Sequence, residues 1–319
     1  MDLVDRVAAR LKLRDLRLLD TVVRWGSMAK AANQLNLSQP AVSKAIAQME
    51  EMLGVRLIDR GRQGVEPTPH GLALLKRGVA IHDELRQGIA EIEHLSDPTA
   101  GEVRVAAPEP IAAGLLTVLI AQFTRKYPRA SVYVTQTPVA SLQVLTPRYR
   151  DVRERNVDLL LAPIFEPTMD DDLANESLFP DRAVIAAGID SPWARRRGVT
   201  LADLIDEPWV LQPPDTIAGQ SHIDSFRTMG LDVPQKKIVS VSVQVQIGLV
   251  ATHRYFTILP DSMLHFSARR LSLKALPIKL KIEPFDVGIV TLKKRTISPA
   301  AQEFIRMARD ITKPLRLSS

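Results

Sequence analysis

Residues 27–53 read SMAKAANQLNLSQPAVSKAIAQMEEML, and this pattern predicts two short helices joined by a tight turn. Ser27 and Ser38 are good N-caps, because a serine hydroxyl accepts a hydrogen bond from a free N–H at a helix start. Asn36 tolerates the left-handed backbone that a turn requires. Pro40 fits the first turn of the second helix, where its missing N–H costs little. These local signals predict a helix-turn-helix.

The second of these helices is predicted to have two faces. An apolar stripe at helical spacing is expected to be buried, and it comprises Val42, Ile46, Met49 and Leu53. The opposite face carries side chains that can hydrogen-bond base edges or phosphates, namely Gln39, Ser43, Lys44 and Gln48. The acidic pair Glu50 and Glu51 comes only at the far end. An ordinary helical hairpin shows the same spacing, so spacing alone leaves both interpretations open.

Residues 16–72 resemble the winged helix-turn-helix domain of LysR-type transcriptional regulators. The most specific match is SQPAVS followed by LGVRLIDR. Other matching positions are Ser27, Ala31, Ala32, Leu35, Ile46, Thr68 and Gly71. Ile58 and Asp59 depart from the family, which often has an aromatic and a polar residue there. The resemblance implies a DNA-binding domain over residues 1–68. Its implied DNA-binding residues are Ser27, Lys30, Ser38, Gln39, Pro40, Ser43, Lys44, Arg60 and Arg62.

The segment after the two helices is predicted to be a two-stranded wing. Residues 57–58 and 65–68 have strand character, and Gly61 and Gly64 lie between them at the expected tip. Arg60 and Arg62 would lie near a phosphate backbone, although simple solvated surface positions are the alternative.

Residues 69–95 are predicted to form one long helix that pairs with a second copy. Apolar or small residues recur every seven positions: Leu75, His82 and Ile89 form one row, and Gly78, Leu85 and Ile92 another. Dimerisation would hold two recognition helices at a fixed distance. An amphipathic helix on its own domain is the alternative, and His82 is interpreted as a packed residue rather than a pH switch. Residues 69–98 are therefore assigned to a dimerisation helix and hinge.

Strands and helices alternate after the hinge and predict two α/β lobes. First-lobe strands are expected at 103–107, 132–134, 158–162 and 285–292, with helices at 111–127, 139–155 and from 298. Second-lobe strands are expected at 182–187, 209–212, 238–243 and 256–259, with helices at 200–205, 223–229 and 244–252. The first lobe would then cover about 99–180 and 270–319, and the second about 181–269.

This second half resembles the effector-binding domain of the same family, which shares its fold with type II periplasmic binding proteins. The matching runs are GEVRVAAP, NVDLLLAP, EPWVLQ and LVATHRYFTILP. His253 and Arg254 replace the glycine-rich turn that usually precedes the last strand of the second lobe. The implied architecture is an all-α winged helix-turn-helix with a long dimerisation helix, followed by a two-lobed α/β domain.

A ligand is expected between the lobes, where strands end and helix N-termini present free N–H groups. The resemblance places effector contacts in these loops, and the candidate residues are Glu109, Gln136, Thr137, Gln212 and Gln244. Glu109 stands where the family commonly has serine. Its charge would repel a carboxylate, which predicts a neutral, polyhydroxylated or cationic effector. The alternative is that Glu109 points to solvent and caps the helix that follows it.

Composition narrows the function classes further. The chain of 319 residues carries a net charge of +6 and no cysteine, which excludes disulfides and cysteine-based metal sites. Much of the positive charge lies near the C-terminus, in Arg269, Arg270, Lys274, Lys279, Lys281, Lys293, Lys294 and Arg295. We interpret that cluster as a solvated face rather than a second DNA contact. The absence of a signal-peptide pattern or a long apolar run leads us to expect a cytoplasmic protein without a membrane segment.

An enzyme and a transporter-associated solute-binding protein are the competing functions. The sequence has no GxGxxG, P-loop, HExxH or GxSxG motif, so no catalytic residue, cofactor or metal is predicted. The resemblance implies a transcriptional regulator whose activity a small-molecule effector modulates. It also implies a homodimer on an interrupted palindrome of double-stranded DNA, assembly to a homotetramer, and altered contact with RNA polymerase.

Overall fold

The computed structural model describes residue 7 and residues 10–61, 64–137, 149–164 and 171–316. Two compact units are present, Met1–Ile89 and Ala90–Ser319. None of the helices in the described residues is long and apolar enough to span a membrane.

The first unit is a small helical domain with a two-stranded hairpin. Its elements are α1 (Leu13–Trp25), α2 (Met28–Leu35), α3 (Gln39–Leu53), β1 (Ile58–Gly61), β2 (Gly64–Pro67) and the start of α4 (Pro69–Ser96). The predicted stripe of α3 is confirmed, because Val42, Ile46 and Met49 are almost fully buried in the core of this unit. The hairpin pairs Ile58 with Pro67 in antiparallel register, as predicted for a wing.

Local capping explains where the two central helices begin and end. The Ser27 hydroxyl accepts a hydrogen bond from the Lys30 N–H, and the Ser38 hydroxyl accepts one from the Ala41 N–H. Asn36 ends α2 in the left-handed region with φ of 54°. Pro40 lies in the first turn of α3. These four predictions from sequence are confirmed.

The wing is fixed to its neighbours by contacts that the sequence pattern did not reveal. The Glu50 carboxylate accepts hydrogen bonds from the N–H groups of Leu57 and Ile58, at 2.8 and 3.3 Å. A side chain at Gly71 would place its Cβ 1.9 Å from the Leu57 carbonyl oxygen. The Thr68 hydroxyl completes the junction by accepting from the Gly71 N–H. Wing, α3 and α4 are therefore tightly coupled within this unit.

Helix α4 exposes an apolar stripe that differs from the predicted rows. Leu75 packs against the core of the first unit, and His82 is only partly exposed. The predicted seam row through Leu75, His82 and Ile89 is therefore wrong at Leu75, whereas Ile89 is exposed. The exposed apolar residues fall in two rows: Leu85 and Ile92 are seven residues apart, and Ile81 and Leu95 are fourteen apart with Gly88 midway between them.

The first lobe of the second unit is a five-stranded sheet in the order β4-β3-β5-β12-β6. Its strands are β3 (Ala100–Ala107), β4 (Arg129–Gln136), β5 (Leu159–Ile164), β6 (Leu173–Asp181) and β12 (Phe285–Leu292). Strands β3, β4 and β5 are parallel as predicted, whereas β12 is antiparallel to β5 and β6. Its helices are α5 (Glu109–Ile111), which continues through a π turn into α6 (Thr117–Lys126), then α7 (Arg150–Arg153) and α12 (Pro299–Arg316). Most of the predicted helix 139–155 lies outside the described residues.

The second lobe has two small sheets. They are β10-β7-β11, with β7 (Ala183–Gly188), β10 (Thr257–Pro260) and β11 (Leu273–Ala275), and the parallel pair β8 (Trp209–Leu211) and β9 (Lys237–Val239). Its helices are α8 (Pro192–Arg195), α9 (Ile217–Thr228), α10 (Val243–Val250) and α11 (Asp261–Leu271). Because β11 pairs with β7, the second lobe continues past the predicted limit at 269. Leu276 and Ile278 also join its core, so the chain returns to the first lobe only after them.

One member of the basic C-terminal cluster is structural. The Arg295 guanidinium is fully buried and lies 2.9 Å from the Asp158 carboxylate. It also donates to the Val157 carbonyl oxygen. For Arg295 the interpretation as part of a solvated face is therefore wrong, because its charge is paired inside the first lobe.

Candidate nucleic-acid interface and ligand cleft

The polar face of α3 is presented to solvent. Gln39, Pro40 and Lys44 are exposed, and Ser43 is partly exposed. Gln39 and Ser43 are four residues apart on one helix, so their side chains lie on the same face. The caps and the buried stripe fix the rotation of α3, which leaves this face free to meet a nucleic acid.

Arg60 of the wing joins that face directly. Its guanidinium donates a hydrogen bond to the Ser43 hydroxyl across 3.2 Å. Asp59 and Glu66 are register partners on the two wing strands, and strand alternation places them on the opposite face of the hairpin from Arg60. The wing therefore turns a basic side toward α3 and an acidic side away from it. The predicted residue Arg62 lies outside the described residues.

The other predicted DNA-binding residues lie at helix starts. Ser27 and Ser38 use their oxygens as caps, while each hydroxyl hydrogen remains a donor. Lys30 is exposed in the first turn of α2. Ser38, Gln39, Ser43, Lys44 and Arg60 thus cluster around α3, and Ser27 and Lys30 lie on the preceding helix.

A cavity of about 600 Å³ lies within the second unit, at the ends of strands from both lobes. Three predicted residues line it: Glu109, Thr137 and Gln212. Its walls are mainly apolar, from residues such as Ile111, Leu160, Ile217, Ile258 and Phe285. The charged lining residues Asp224, Lys281 and Glu283 are exposed, which places them toward the solvent side.

Two of the predicted ligand residues do not contribute their side chains to this lining. Gln136 is exposed at the end of β4 and is not among the residues that surround the cavity. Gln244 is also exposed, and what it contributes is its backbone N–H. The predictions for these two side chains therefore do not match their positions, because strand and helix direction turn them outward.

Glu109 reaches from the first lobe to the second. Its carboxylate accepts hydrogen bonds from the N–H groups of Val243 and Gln244, at 3.1 and 3.0 Å. These are the first two residues of α10. Glu109 therefore neither points freely to solvent nor caps the helix that follows it in sequence. Instead it neutralises the N-terminus of a helix in the other lobe.

His222 is a cavity residue that the sequence analysis missed. It lines the cavity from α9, is only 7% exposed, and has a buried Nδ1 without a hydrogen-bond partner. Burial lowers the pKa of His222 to about 4, so the ring is neutral near pH 7. The Gln212 side-chain oxygen is likewise buried and unpaired. His222 lies in the middle of α9, so no cap or strand-end pattern in the sequence marked it.

Asp181 lies at a crossing between the lobes and also lines the cavity. Its carboxylate accepts hydrogen bonds from the Ser262 hydroxyl and N–H, at 2.5 and 3.1 Å. Burial raises the pKa of Asp181, although these hydrogen bonds oppose the effect. Across the described ranges, no group of three or more His, Asp or Glu side chains could hold a metal ion.

Known proteins resemble this chain over nearly its whole length. Residues 13–72 match the family described as bacterial regulatory helix-turn-helix protein, lysR family, and residues 96–313 match the LysR substrate binding domain. The regulator GbpR of Azospirillum brasilense is 28% identical over 305 residues, covering 94% of this chain and 86% of that protein. The dual regulator GltC of Bacillus subtilis is 28% identical over 295 residues, covering 92% and 95%.

A solved structure shares the fold. Full-length CbnR in complex with its target DNA superposes with a TM-score of 0.60 at 18% identity, covering 94% of this chain and 99% of that one.

Proposed function

The chain belongs to the lysR family of bacterial helix-turn-helix regulators and is a DNA-binding transcriptional regulator with an effector-binding domain, and from this premise we propose which of its residues read DNA. Gln39, Ser43 and Lys44 contact the major groove from α3. Glutamine and lysine side chains form the hydrogen-bond patterns that distinguish base pairs. The observation that carries this proposal is the exposed polar face of α3, continuous with Arg60 through its bond to Ser43.

Positioning is assigned to the residues around that face. Arg60 and Arg62 contact phosphates from the wing, and Lys30 and Ser27 contact the backbone from α2. Ser38 and Pro40 start α3 and set its direction into the groove. This division gives base reading to a few side chains and general affinity to the charges.

A homodimer presents two such surfaces to an interrupted palindrome. The exposed stripe of α4, through Ile81, Leu85, Ile92 and Leu95, supplies the pairing surface. Two dimers then assemble to a homotetramer and bend the DNA, which sets the contact with RNA polymerase. Because the target is chromosomal DNA, the proposed location is the cytoplasm.

The cavity of the second unit is the effector site in this proposal. Its apolar walls and its few polar groups suit a small molecule, and Thr137, Gln212 and His222 are the proposed contacts. The chain binds its effector without transforming it. Binding between the lobes changes the angle between dimers and thereby the regulation.

Two substitutions test whether base recognition and phosphate binding are carried by different residues. Gln39→Ala removes a base contact, so we expect discrimination at one base pair to fall by about 1–3 kcal/mol. Arg60→Ala removes a phosphate contact, so affinity should fall alike on all sequences and the salt slope should drop by about 1. Fluorescence anisotropy on target and scrambled duplexes at several salt concentrations measures both.

Gln34→Ala is the matched control, since Gln34 is an exposed glutamine of α2 outside the proposed surface. It should bind like the wild type. Equal losses on target and scrambled DNA from both Gln39→Ala and Arg60→Ala would refute the division.

A further inference from the structure

The start of α10 has no free N–H group in its first turn for an external anion. Glu109 accepts from Val243 and Gln244, and the Ser242 hydroxyl accepts from the Val245 N–H at 3.3 Å. The N–H of Gln246 already bonds to the Ser242 carbonyl oxygen within the helix. The first turn of a helix is otherwise a ready site for a carboxylate or phosphate. Here that position is filled by a carboxylate of the chain itself.

The position of Glu109 is fixed by its neighbours. Pro108 and Pro110 flank it, and Pro108 is the N-cap of α5 with φ of −69° and ψ of 155°. Proline locks its own φ and restricts the residue before it. The Glu109 carboxylate therefore spans the lobes from a restricted backbone rather than from a free loop.

The adjoining cavity has the features of a binding site. Glu109 and Val243 both line it, together with His222. His222 is 7% exposed with an unpaired Nδ1, so a buried polar atom there still lacks a partner. Near its open side Asp224 and Glu283 outnumber Lys281, which adds further negative charge. A ligand with an apolar body suits these walls, and a polyhydroxylated ligand suits them less well.

We propose that Glu109 is a specificity-determining residue of the cleft: it acts as a built-in carboxylate at the start of α10 and so excludes a carboxylate group of the effector from that helix start. This inference rests on the proposed role of the cavity as the effector site. The same contact joins the two lobes in the absence of effector.

Chemical rescue of Glu109→Ala tests the proposal on the full-length protein. Removing the carboxylate frees the N–H groups of Val243 and Gln244 and leaves space about the size of acetate. We expect the variant to melt about 2–6 °C below the wild type, since charge-assisted hydrogen bonds are lost. Acetate at tens of millimolar, with ionic strength matched by sodium chloride, should recover at least half of that loss. Acetate should not stabilise the wild type, whose anion position is filled.

Three controls make the result decisive. Acetamide has the shape of acetate without its charge and should not rescue Glu109→Ala. Glu109→Gln keeps the side-chain volume, so it should melt below the wild type without responding to acetate. Glu102→Ala removes a carboxylate from β3 of the same lobe, away from α10, and should show no acetate effect.

The proposal is overturned by any of four results. These are no acetate effect on Glu109→Ala, equal rescue by acetamide, an equal acetate effect on the wild type, and an equal acetate effect on Glu109→Gln. The readout is thermal stability, so such failure leaves the DNA-reading proposal intact. Conversely, unchanged DNA discrimination in Gln39→Ala would leave the Glu109 result intact.

Discussion

His222 is held as a neutral imidazole inside the second unit. Its ring is buried beside apolar cavity walls, and burial lowers its pKa to about 4, against an ordinary value of 6.5. In the unfolded chain the ring takes up a proton near pH 6.5, whereas in the folded chain it does so only near pH 4. Its contribution to stability is therefore fully present above pH 6.5 and is lost as the pH falls toward 4.

Replacing His222 with glutamine should flatten this part of the stability profile. We expect the free energy of unfolding of the wild type to fall by up to about 3 kcal/mol more than that of His222→Gln between pH 6.5 and 4. Urea unfolding at a series of pH values measures the difference. Asp181 works in the opposite sense, because its raised pKa makes stability fall as its carboxyl ionises. The comparison between variant and wild type cancels that contribution.

The exposed His265 of α11 gives the matched control. His265→Gln should keep the wild-type profile. Parallel profiles for the wild type and His222→Gln would show that His222 does not titrate in this range.

Residues differ in how far their roles follow from sequence alone. Ser27, Asn36, Ser38 and Pro40 act within a turn of their own position, so local chemistry was enough to predict them. Glu109 acts on a helix start 134 residues away. No pattern along the chain reports such a contact, since it depends on how the two lobes meet.

At the scale of elements, α4 carries the clearest unpartnered surface. Two rows are formed by Ile81 with Leu95, fourteen residues apart, and by Leu85 with Ile92, seven apart, and each residue is at least 46% exposed. Such rows favour a seam with a second helix. Of the predicted seam residues, Leu85 and Ile92 are exposed and stay predictions, whereas Leu75 packs against the core of the first unit.

A charge in this stripe should disrupt the proposed dimer. Leu85→Glu would bury an unpaired carboxylate in the seam, so we expect the dissociation constant to rise at least 100-fold. Sedimentation equilibrium measures it. Leu72→Glu is the control, because Leu72 is also exposed on α4 but lies outside both rows. A Leu85→Glu protein that remains dimeric at the wild-type concentration range would contradict the assignment.

Strands were predicted best where their burial is uniform. Strand β5 is fully buried over its first four residues, and its apolar run was recognised. Strand β6, with the sequence LANESLFPD, mixes buried and exposed positions irregularly and contains a proline, so its pattern resembles a loop. Strand β11 has only three residues and is defined by pairing with β7, a long-range contact that its own sequence does not encode.

At the scale of the whole molecule, the DNA-binding domain lies in the first unit and the effector-binding domain in the second. The order of the domains and the alternation of strands and helices could be predicted. Each element shows its own spacing of apolar residues, and the resemblance covers nearly the whole chain. The residue at which the chain returns from the second lobe to the first could not be predicted, nor could the Glu109 carboxylate at the start of α10. Both depend on contacts between residues far apart in sequence. The central claim is that α3 and the wing read DNA as a paired surface.

Selection from a random duplex library with the full-length protein tests that claim most directly. Two α3 surfaces related by a dimer axis should enrich an interrupted palindrome, with half-sites separated by about 10 base pairs or a multiple of that. Gln39→Ala should enrich the same spacing with one relaxed position in each half-site. Enrichment of no sequence, or of a single unpaired half-site by a protein that is dimeric in solution, would contradict the account.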